Sequence, residues 1–162
     1  MLRRLRAQDL ARFHAYRSDS LVGRYQGWSP MDRDEALEFI HQVNAGPLFV
    51  GGQWSQVAVA MADSDELVGD IGLFVTENAE EGEIGFTLSP DATGKGYATR
   101  AVQEVIRLLF ECTRVQRIIG VSDARNTPSV RVLERAGMTH VESRETRFKG
   151  EACTEWVYAI RR

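Results

Sequence analysis

The sequence predicts a single α+β domain over residues 1–162, in which helices cover both faces of a mixed sheet. Apolar residues alternate in some segments and recur every three or four residues in others. Their order is strand, two helices, three strands, helix, strand, helix and two strands. A chain of 162 residues is long enough to bury one hydrophobic core, and no repeat, low-complexity segment or linker divides it.

The first part of the chain predicts one strand and two helices. A short strand is expected at 2–5 and a short helix over 10–16, where apolar residues have helical spacing. A second helix begins after Asp32, because Glu35 completes a capping box with it, and ends near 44–47.

The loop between these helices, residues 20–30, contains two aromatic side chains, Tyr25 and Trp28. Aromatic side chains in a loop usually pack against the core, but they can also form the wall of a substrate pocket. We therefore treat both as candidate pocket residues.

Three strands follow. Segments 57–61 and 67–75 predict a hairpin. The third strand, 83–88, alternates, so that its apolar residues share one face and Glu83 lies on the other. This strand runs directly into a glycine loop, which brings the Glu83 carboxylate close to that loop in sequence.

The glycine loop begins at Thr93 and contains Gly94 and Gly96, and apolar residues then recur at helical spacing to about residue 112. Thr93 could cap only a helix that begins inside the glycines, so the first N–H groups of the helix are left open. Glycines allow a ligand to approach the backbone closely, and the positive end of a helix dipole favours an anion. The loop therefore predicts a phosphate site.

The remaining elements are a strand, a helix and a hairpin. The strand covers 117–121, and Thr127 with Pro128 predicts a helix start, as cap and first helical residue. Segments 139–148 and 153–160 predict the closing hairpin.

Composition limits the partners. The net charge of −3 argues against broad binding to a nucleic-acid backbone. No apolar run approaches the ~20 residues of a membrane span, and the first residues lack a signal-peptide pattern, so a cytoplasmic protein without a membrane partner is expected. The cysteines and histidines have no metal-ligand spacing, and no metal is expected.

Two nucleotide motifs do not fit the glycine loop. A P-loop needs Ser or Thr after its lysine, whereas Lys95 is followed by Gly96. A dinucleotide fingerprint needs a glycine at the end of the strand and a glycine or alanine where Thr99 stands, and here five residues, 89–93, separate strand from glycine.

Three motifs together resemble the GNAT superfamily of acetyl-CoA-dependent N-acetyltransferases. They are Glu83-Ile84-Gly85-Phe86-Thr87-Leu88, Gly94-Lys95-Gly96-Tyr97-Ala98-Thr99, and Asn126-Thr127-Pro128-Ser129 with the following segment 132–138. The resemblance covers essentially the whole chain and is closest to the branch that acetylates N-terminal amines of ribosomal proteins. It implies a mostly antiparallel seven-stranded sheet with a splay between the fourth and fifth strands.

The resemblance also implies a set of residues that bind acetyl-CoA. Backbone groups of Phe86, Thr87 and Leu88 would pair with the pantetheine arm, and amides from 94 to 99 would hold the pyrophosphate. Asn126 and Ser129 would lie near the thioester sulfur. The full cofactor-binding set is Phe86, Thr87, Leu88, Thr93, Gly94, Lys95, Gly96, Tyr97, Ala98, Thr99, Asn126 and Ser129. Many family members have Gln or Arg where this chain has Asp91, and a tyrosine where it has Leu133.

The reaction implied is direct attack of a primary amine on the thioester. Glu83 is the candidate general base, directly or through water, and also a candidate pocket residue with Tyr25 and Trp28. A backbone N–H near Leu88 would stabilise the oxyanion, and Ser129 would donate a hydrogen bond to the leaving thiolate.

The acceptor expected is a protein N-terminal α-amine, whose pKa of about 8 leaves it partly neutral at pH 7. Two alternatives stay open: a small amine such as an aminoglycoside or polyamine, and a non-catalytic domain that senses acetyl-CoA. Either a monomer or a homodimer fits the sequence.

Overall fold

A computed structural model describes residues 1–162 and contains one seven-stranded sheet in the order β1-β2-β3-β4-β5-β7-β6. The strands are β1 (Leu2–Arg3), β2 (Trp54–Ala60), β3 (Leu67–Val75), β4 (Glu81–Leu88), β5 (Arg117–Asp123), β6 (Thr139–Phe148) and β7 (Glu151–Arg161). The helices are α1 (Leu10–Arg17), α2 (Arg33–Asn44), α3 (Tyr97–Cys112) and α4 (Thr127–Arg135). This order of elements confirms the predicted one.

All neighbouring strands are antiparallel except β4 and β5, which run parallel. Their pairing covers four residues of each strand and stops where Ile84 faces Gly120. Beyond that point β5 stays paired with β7 as far as Asp123, while β4 stays paired with β3 as far as Leu88. The two strands therefore separate in the middle of the sheet, which confirms the predicted splay.

Two hydrophobic clusters place helices on opposite faces of the sheet. The larger cluster joins α3 and α4 to the central strands through residues such as Val102, Leu109 and Leu133. The smaller cluster joins α1 and α2 to β2 through residues such as Phe13 and Ala58. None of the helices is both long and apolar enough to cross a membrane.

The elements begin within three residues of their predicted starts, with β2 at Trp54 instead of 57, β4 at Glu81 instead of 83 and β7 at Glu151 instead of 153. The capping box of α2 forms as predicted, because Asp32 accepts from the Glu35 N–H and Glu35 accepts from the Asp32 N–H. The strand predicted at 2–5 is shorter, because the chain turns where the Arg6 N–H donates to Asp9.

Helix α4 begins one residue earlier than predicted. Asn126 is its N-cap, so Thr127 and Pro128 are the first two helical residues. The reason is that the Val130 N–H donates to the Asn126 carbonyl at 3.1 Å, which closes the first helical turn on Asn126.

A buried ion pair fixes α1 on the sheet. Arg17 of α1 is 4% exposed and donates to Asp70 of β3, which is 1% exposed and also accepts from Tyr16 and Gln56. The Arg17 guanidinium lies 4.7 Å from the ring centre of Trp28. Three polar or charged side chains thus donate to one carboxylate inside the core, although Arg17 Nε itself has no hydrogen-bond partner.

Substituting Asp70→Ala should lower the free energy of unfolding by about 3–5 kcal/mol, because it leaves the Arg17 charge buried without its partner. Urea denaturation followed by tryptophan fluorescence measures the change. Glu111→Ala, which breaks an exposed ion pair with Arg107, is the control and should cost at most about 1 kcal/mol. A loss at Asp70 no larger than that of the control would contradict the prediction.

Candidate active site

The glycine loop has the backbone geometry that only glycine adopts readily. Gly94 has φ +74° and Gly96 has φ +80°, both in the left-handed region. Gly96 is the N-cap of α3, and no side chain caps this helix. The Thr93 hydroxyl donates instead to the Pro90 carbonyl at 2.8 Å.

The start of α3 therefore presents free backbone donors. Counting from the start of α3, the first N–H that has an acceptor is that of Arg100, which donates to the Gly96 carbonyl at 3.2 Å. The N–H groups of residues 97–99 have no acceptor in the protein. Together with the positive end of the helix dipole, they form an anion site.

Strand β4 presents a second set of free backbone groups. The Ser89 N–H donates to the Val68 carbonyl, so every second residue of β4 bonds to β3 and the intervening residues face β5. Phe86 and Leu88 are intervening residues that lie beyond the end of the β4–β5 pairing. Their N–H and carbonyl groups face the splay without a strand partner.

One of these groups is in contact with a side-chain amide. Gln26 donates from Nε2 to the Phe86 carbonyl at 3.3 Å. An amide can therefore reach this carbonyl from inside the splay, as the family resemblance requires of the pantetheine arm. Sequence reasoning missed Gln26, because nothing in a loop sequence shows which strand its side chain reaches.

A cavity of about 680 Å³ joins β4, the glycine loop and the start of α4. Its volume lies within the usual range for small-molecule sites. The predicted site residues that line it are Tyr25, Phe86, Thr87, Leu88, Thr93, Gly94, Gly96, Ala98, Thr99, Asn126 and Ser129.

Two predicted residues of the loop direct their side chains elsewhere. Lys95 is exposed and does not line the cavity. Tyr97 lines a different cavity with Met1 and Met61. Neither side chain forms part of the wall of the cavity at the glycine loop.

A second cavity of about 50 Å³ lies in the splay itself. Asn126 and Ser129 line both cavities, and neither side chain has a hydrogen-bond partner in the protein. Leu133 fills the helix side of the splay. A Cβ at Gly120 would lie 2.7 Å from Leu133 Cδ2, so a side chain at this position of β5 would displace the Leu133 side chain.

Glu83 is half-buried on the sheet face opposite to Ile84. Burial raises the pKa of its carboxyl, and the nearby carboxylates of Glu81 and Glu155 raise the pKa further, while Arg144 lowers it. Glu83 lines neither cavity, but Gly85, two residues along the same face, lines the splay. A carboxylate with a raised pKa is suited to accept a proton near neutral pH.

The loop that carries Tyr25 is held from two sides. The Trp28 ring lies against Arg17, and its Nε1 donates to the Thr87 hydroxyl of β4 at 3.3 Å. Lys149, in the turn between β6 and β7, donates to the Gly23 carbonyl at 2.7 Å and to the Trp28 carbonyl at 3.0 Å. Trp28 thus connects the loop to the core, and Tyr25 borders the cavities.

Asp91 has partners within the protein. It accepts from Arg12 at 3.0 Å and from the Ser89 hydroxyl, and these contacts lower the pKa of its carboxyl, with Ser89 the larger cause. It does not line the cavity, so the anion site depends on backbone donors.

Sequence reasoning also missed Arg17 and Asp70, although a carboxylate in the middle of an apolar strand was a signal.

Comparison with known sequences identifies the fold family. The family model described as acetyltransferase (GNAT) domain matches residues 1–139. An uncharacterised N-acetyltransferase, p20, of Bacillus licheniformis is 30% identical over 82% of this chain and 74% of its own length.

Solved structures show the same fold. A GNAT acetyltransferase from Bacillus anthracis is 28% identical, with a TM-score of 0.87 over 99% of this chain and 93% of its own. Spermidine N-acetyltransferase from Vibrio cholerae, with CoA and spermine, is 19% identical, with a TM-score of 0.84 over 99% and 94%. The ribosomal L7/L12 α-N-protein acetyltransferase RimL, with CoA, is 14% identical, with a TM-score of 0.81 over 99% and 92%.

Substituting Gly96→Ala should weaken the binding of CoA by about tenfold, because it strains the backbone that presents the anion donors. Calorimetric titration with CoA measures the affinity. Gly150→Ala is the control, since Gly150 also has a positive φ, +84°, but lies in the β6–β7 turn outside the cavity. Both variants should lose about 1–2 kcal/mol of stability. Unchanged CoA affinity in Gly96→Ala would contradict the prediction.

Proposed function

The chain belongs to the GNAT family of acetyltransferases and is an acetyl-CoA-dependent N-acetyltransferase, and we propose that its acceptor is the α-amine of a protein N-terminus. The observation that carries acetyl transfer at this site is the free backbone edge of β4, joined in one cavity to the free N–H groups of α3. Glu83 supports an amine acceptor, because its carboxylate lies on the same face of β4 as Gly85, which lines the splay.

The residues present fit acetyl-CoA, whose thioester supplies an activated acetyl group. The donors of the glycine loop suit its pyrophosphate, and the free groups of Phe86 and Leu88 suit the amides of its pantetheine arm. The contact from Gln26 to the Phe86 carbonyl is the one that an arm amide replaces. Asn126 and Ser129 offer unbonded polar groups at the splay.

Three groups of the chain would then perform the transfer. Glu83 takes the proton from the attacking amine, directly or through water. The Leu88 N–H stabilises the negative charge that develops on the acyl oxygen. Ser129 donates a hydrogen bond to the sulfur, which suffices because a thiolate with a pKa of about 8.5 leaves readily.

No tyrosine is required as a strong acid in this scheme. Leu133 stands where many family members have a tyrosine, and it is buried against Gly120. Tyr158 is engaged elsewhere, since its hydroxyl donates to Glu134 at 3.1 Å. Proton supply to the thiolate therefore rests on Ser129 and solvent.

An α-amine suits this site better than a lysine side chain. Its pKa of about 8 leaves a useful neutral fraction at pH 7, whereas a lysine with a pKa of about 10.4 is almost fully charged. A single carboxylate is an adequate base for an α-amine, which is already partly neutral, and a poor one for a lysine side chain. The fold shared with RimL, an α-N-protein acetyltransferase, supports the same class of acceptor.

A small polyamine is the second candidate. Glu81 and Glu155 lie near enough to Glu83 to raise its pKa, which makes this side of the splay favourable for a cation. The fold shared with spermidine N-acetyltransferase supports this alternative.

A peptide pool with randomised first residues should separate the candidates. With acetyl-CoA present, release of free thiol is expected with the free-amine pool and not with the same pool blocked at its N-termini. Transfer to spermidine but not to the open pool would favour the second candidate instead. Binding of CoA without thiol release for any acceptor would identify a sensor and contradict catalysis.

Substituting Glu83→Gln should lower turnover at neutral pH by about 10²-fold, the lower limit of a general base contribution, with CoA affinity unchanged. Steady-state kinetics with an accepted peptide measure the change. The control is Glu81→Gln on the same face, whose carboxylate is paired with Arg117 at 2.6 Å and should matter only a few-fold. Near-normal turnover in Glu83→Gln would remove Glu83 from the role.

The pH dependence tests the same assignment. A base acts only when deprotonated, so kcat/KM should fall more steeply as the pH drops through the Glu83 pKa, which lies above the ordinary value of 4.5. The Glu83→Gln variant should keep only the fall due to protonation of the amine. A wild-type profile with that shallow fall alone would contradict the assignment.

A further inference from the structure

We propose that Arg131 and Arg135 of α4 form a site for the 3′-phosphomonoester of CoA, so that the enzyme distinguishes CoA from its dephospho form. This inference rests on acetyl-CoA being the acyl donor, as in the proposed function. It adds a specificity site on α4 to the backbone donors already described. Four observations carry it.

The first observation is the charge of the cavity wall. A chain with a net charge of −3 places three arginines and a single carboxylate around this cavity, namely Arg125, Arg131, Arg135 and Asp19. Arg125 is neutralised by Asp123, which it contacts at 2.7 Å and 3.0 Å. Asp19 accepts from the Leu21 N–H of its own loop. The two arginines that remain, Arg131 and Arg135, outnumber this one carboxylate.

The second observation is that these two arginines have no anionic partner. Neither Arg131 nor Arg135 forms an ion pair or a side-chain hydrogen bond. The nearest carboxylate on the helix is that of Glu134, which accepts from Tyr158 at 3.1 Å and is directed toward the sheet. By contrast, Arg17 of α1 and Arg107 of α3 are each paired with a carboxylate.

The third observation is their spacing. Residues 131 and 135 are four apart, so their side chains lie on one face of α4, where like charges repel and weaken a helix. Val132 and Pro128 line the same cavity. A ligand with two negative charges removes this repulsion, and a phosphomonoester carries nearly that charge at pH 7.

The fourth observation is position. Helix α4 begins at the splay and leads away from it, so Arg135 lies about 9 Å along the axis from Ser129. Gln103 of α3 donates to the Arg135 carbonyl at 3.1 Å, which places this end of α4 beside α3 one turn beyond Thr99. Both arginines line the same cavity as the glycine loop, and Arg135 lies beside α3 at the end of α4 away from Ser129.

These positions favour the 3′-phosphate over the pyrophosphate. The glycine loop already offers backbone donors and a helix dipole to the pyrophosphate. The 3′-phosphomonoester is the other anion of CoA, and it belongs to the nucleotide end that lies past the pyrophosphate. Two guanidinium groups match its charge and its oxygen acceptors.

Calorimetric titration of the full chain with CoA and with dephospho-CoA tests the site without using turnover. The wild type should bind CoA about 10–100-fold more tightly, the effect of one or two charged hydrogen bonds. The double variant Arg131→Gln/Arg135→Gln should bind CoA as weakly as dephospho-CoA, with its affinity for dephospho-CoA unchanged. That unchanged affinity also shows that the variant is folded.

The matched control is Arg114→Gln, because Arg114 is another exposed arginine without an ion pair and lies outside the cavity. It should leave both affinities unchanged. Equal binding of the two ligands to the wild type would overturn the inference and leave the proposed function intact. An equal loss for both ligands in the double variant would also overturn it, since the arginines would then contact the pyrophosphate. Wild-type protein that binds neither ligand would overturn both proposals.

Discussion

The early end of the pairing between β4 and β5 is the constraint on which the site depends. Backbone N–H and carbonyl groups inside a protein need partners, and a sheet normally supplies them from its neighbouring strand. Here pairing stops at Ile84 and Gly120, so the next residues of β4 must find partners elsewhere. Leu133 packs against Gly120 on one side of the gap, and Gln26 reaches Phe86 from the other. A ligand that carries amides along an extended arm completes a sheet that the chain leaves incomplete.

Keeping such a gap open requires rigid borders, because free strand edges otherwise close on each other. The ion pair between Arg17 and Asp70 supplies one border, since it fixes α1 on β3 and holds the Trp28 ring beside Thr87. The Lys149 ammonium supplies another by joining the β6–β7 turn to the same loop. A buried ion pair is weak evidence for added stability, but here its geometry determines where the loop lies.

Sequence reasoning predicted the parts of the structure that are local. Periodicity identified every strand and helix, and the glycines of the loop identified the uncapped start of α3. Alternation in β4 separated Glu83 from the apolar residues, such as Ile84, that pack on the side of α3 and α4. These features depend on neighbours within about four residues, which a sequence displays directly.

The contacts that sequence reasoning missed join residues far apart in the chain. Gln26 and Phe86 are 60 residues apart, and Lys149 and Gly23 are 126 apart. Nothing in a single sequence sets such distances, because the relative position of loops is decided by packing of the whole core. Asp91 illustrates the same limit: the resemblance marked its position as unusual, but only the fold shows that Arg12, 79 residues away, is its partner.

The opposite charges on the two sides of the splay explain why a nearly neutral net charge is uninformative here. The side covered by α3 and α4 carries the free N–H groups of α3 and two unpaired arginines, while the other side carries Glu83 with the carboxylates of Glu81 and Glu155 nearby, which raise the pKa of Glu83. An anionic donor and a cationic acceptor are therefore each attracted to a different face of the sheet. Since the gap between β4 and β5 is the place where the two faces connect, their reacting groups meet only there. The gap that leaves backbone groups unpaired is thus also the place where an anionic donor from one face meets a cationic acceptor from the other.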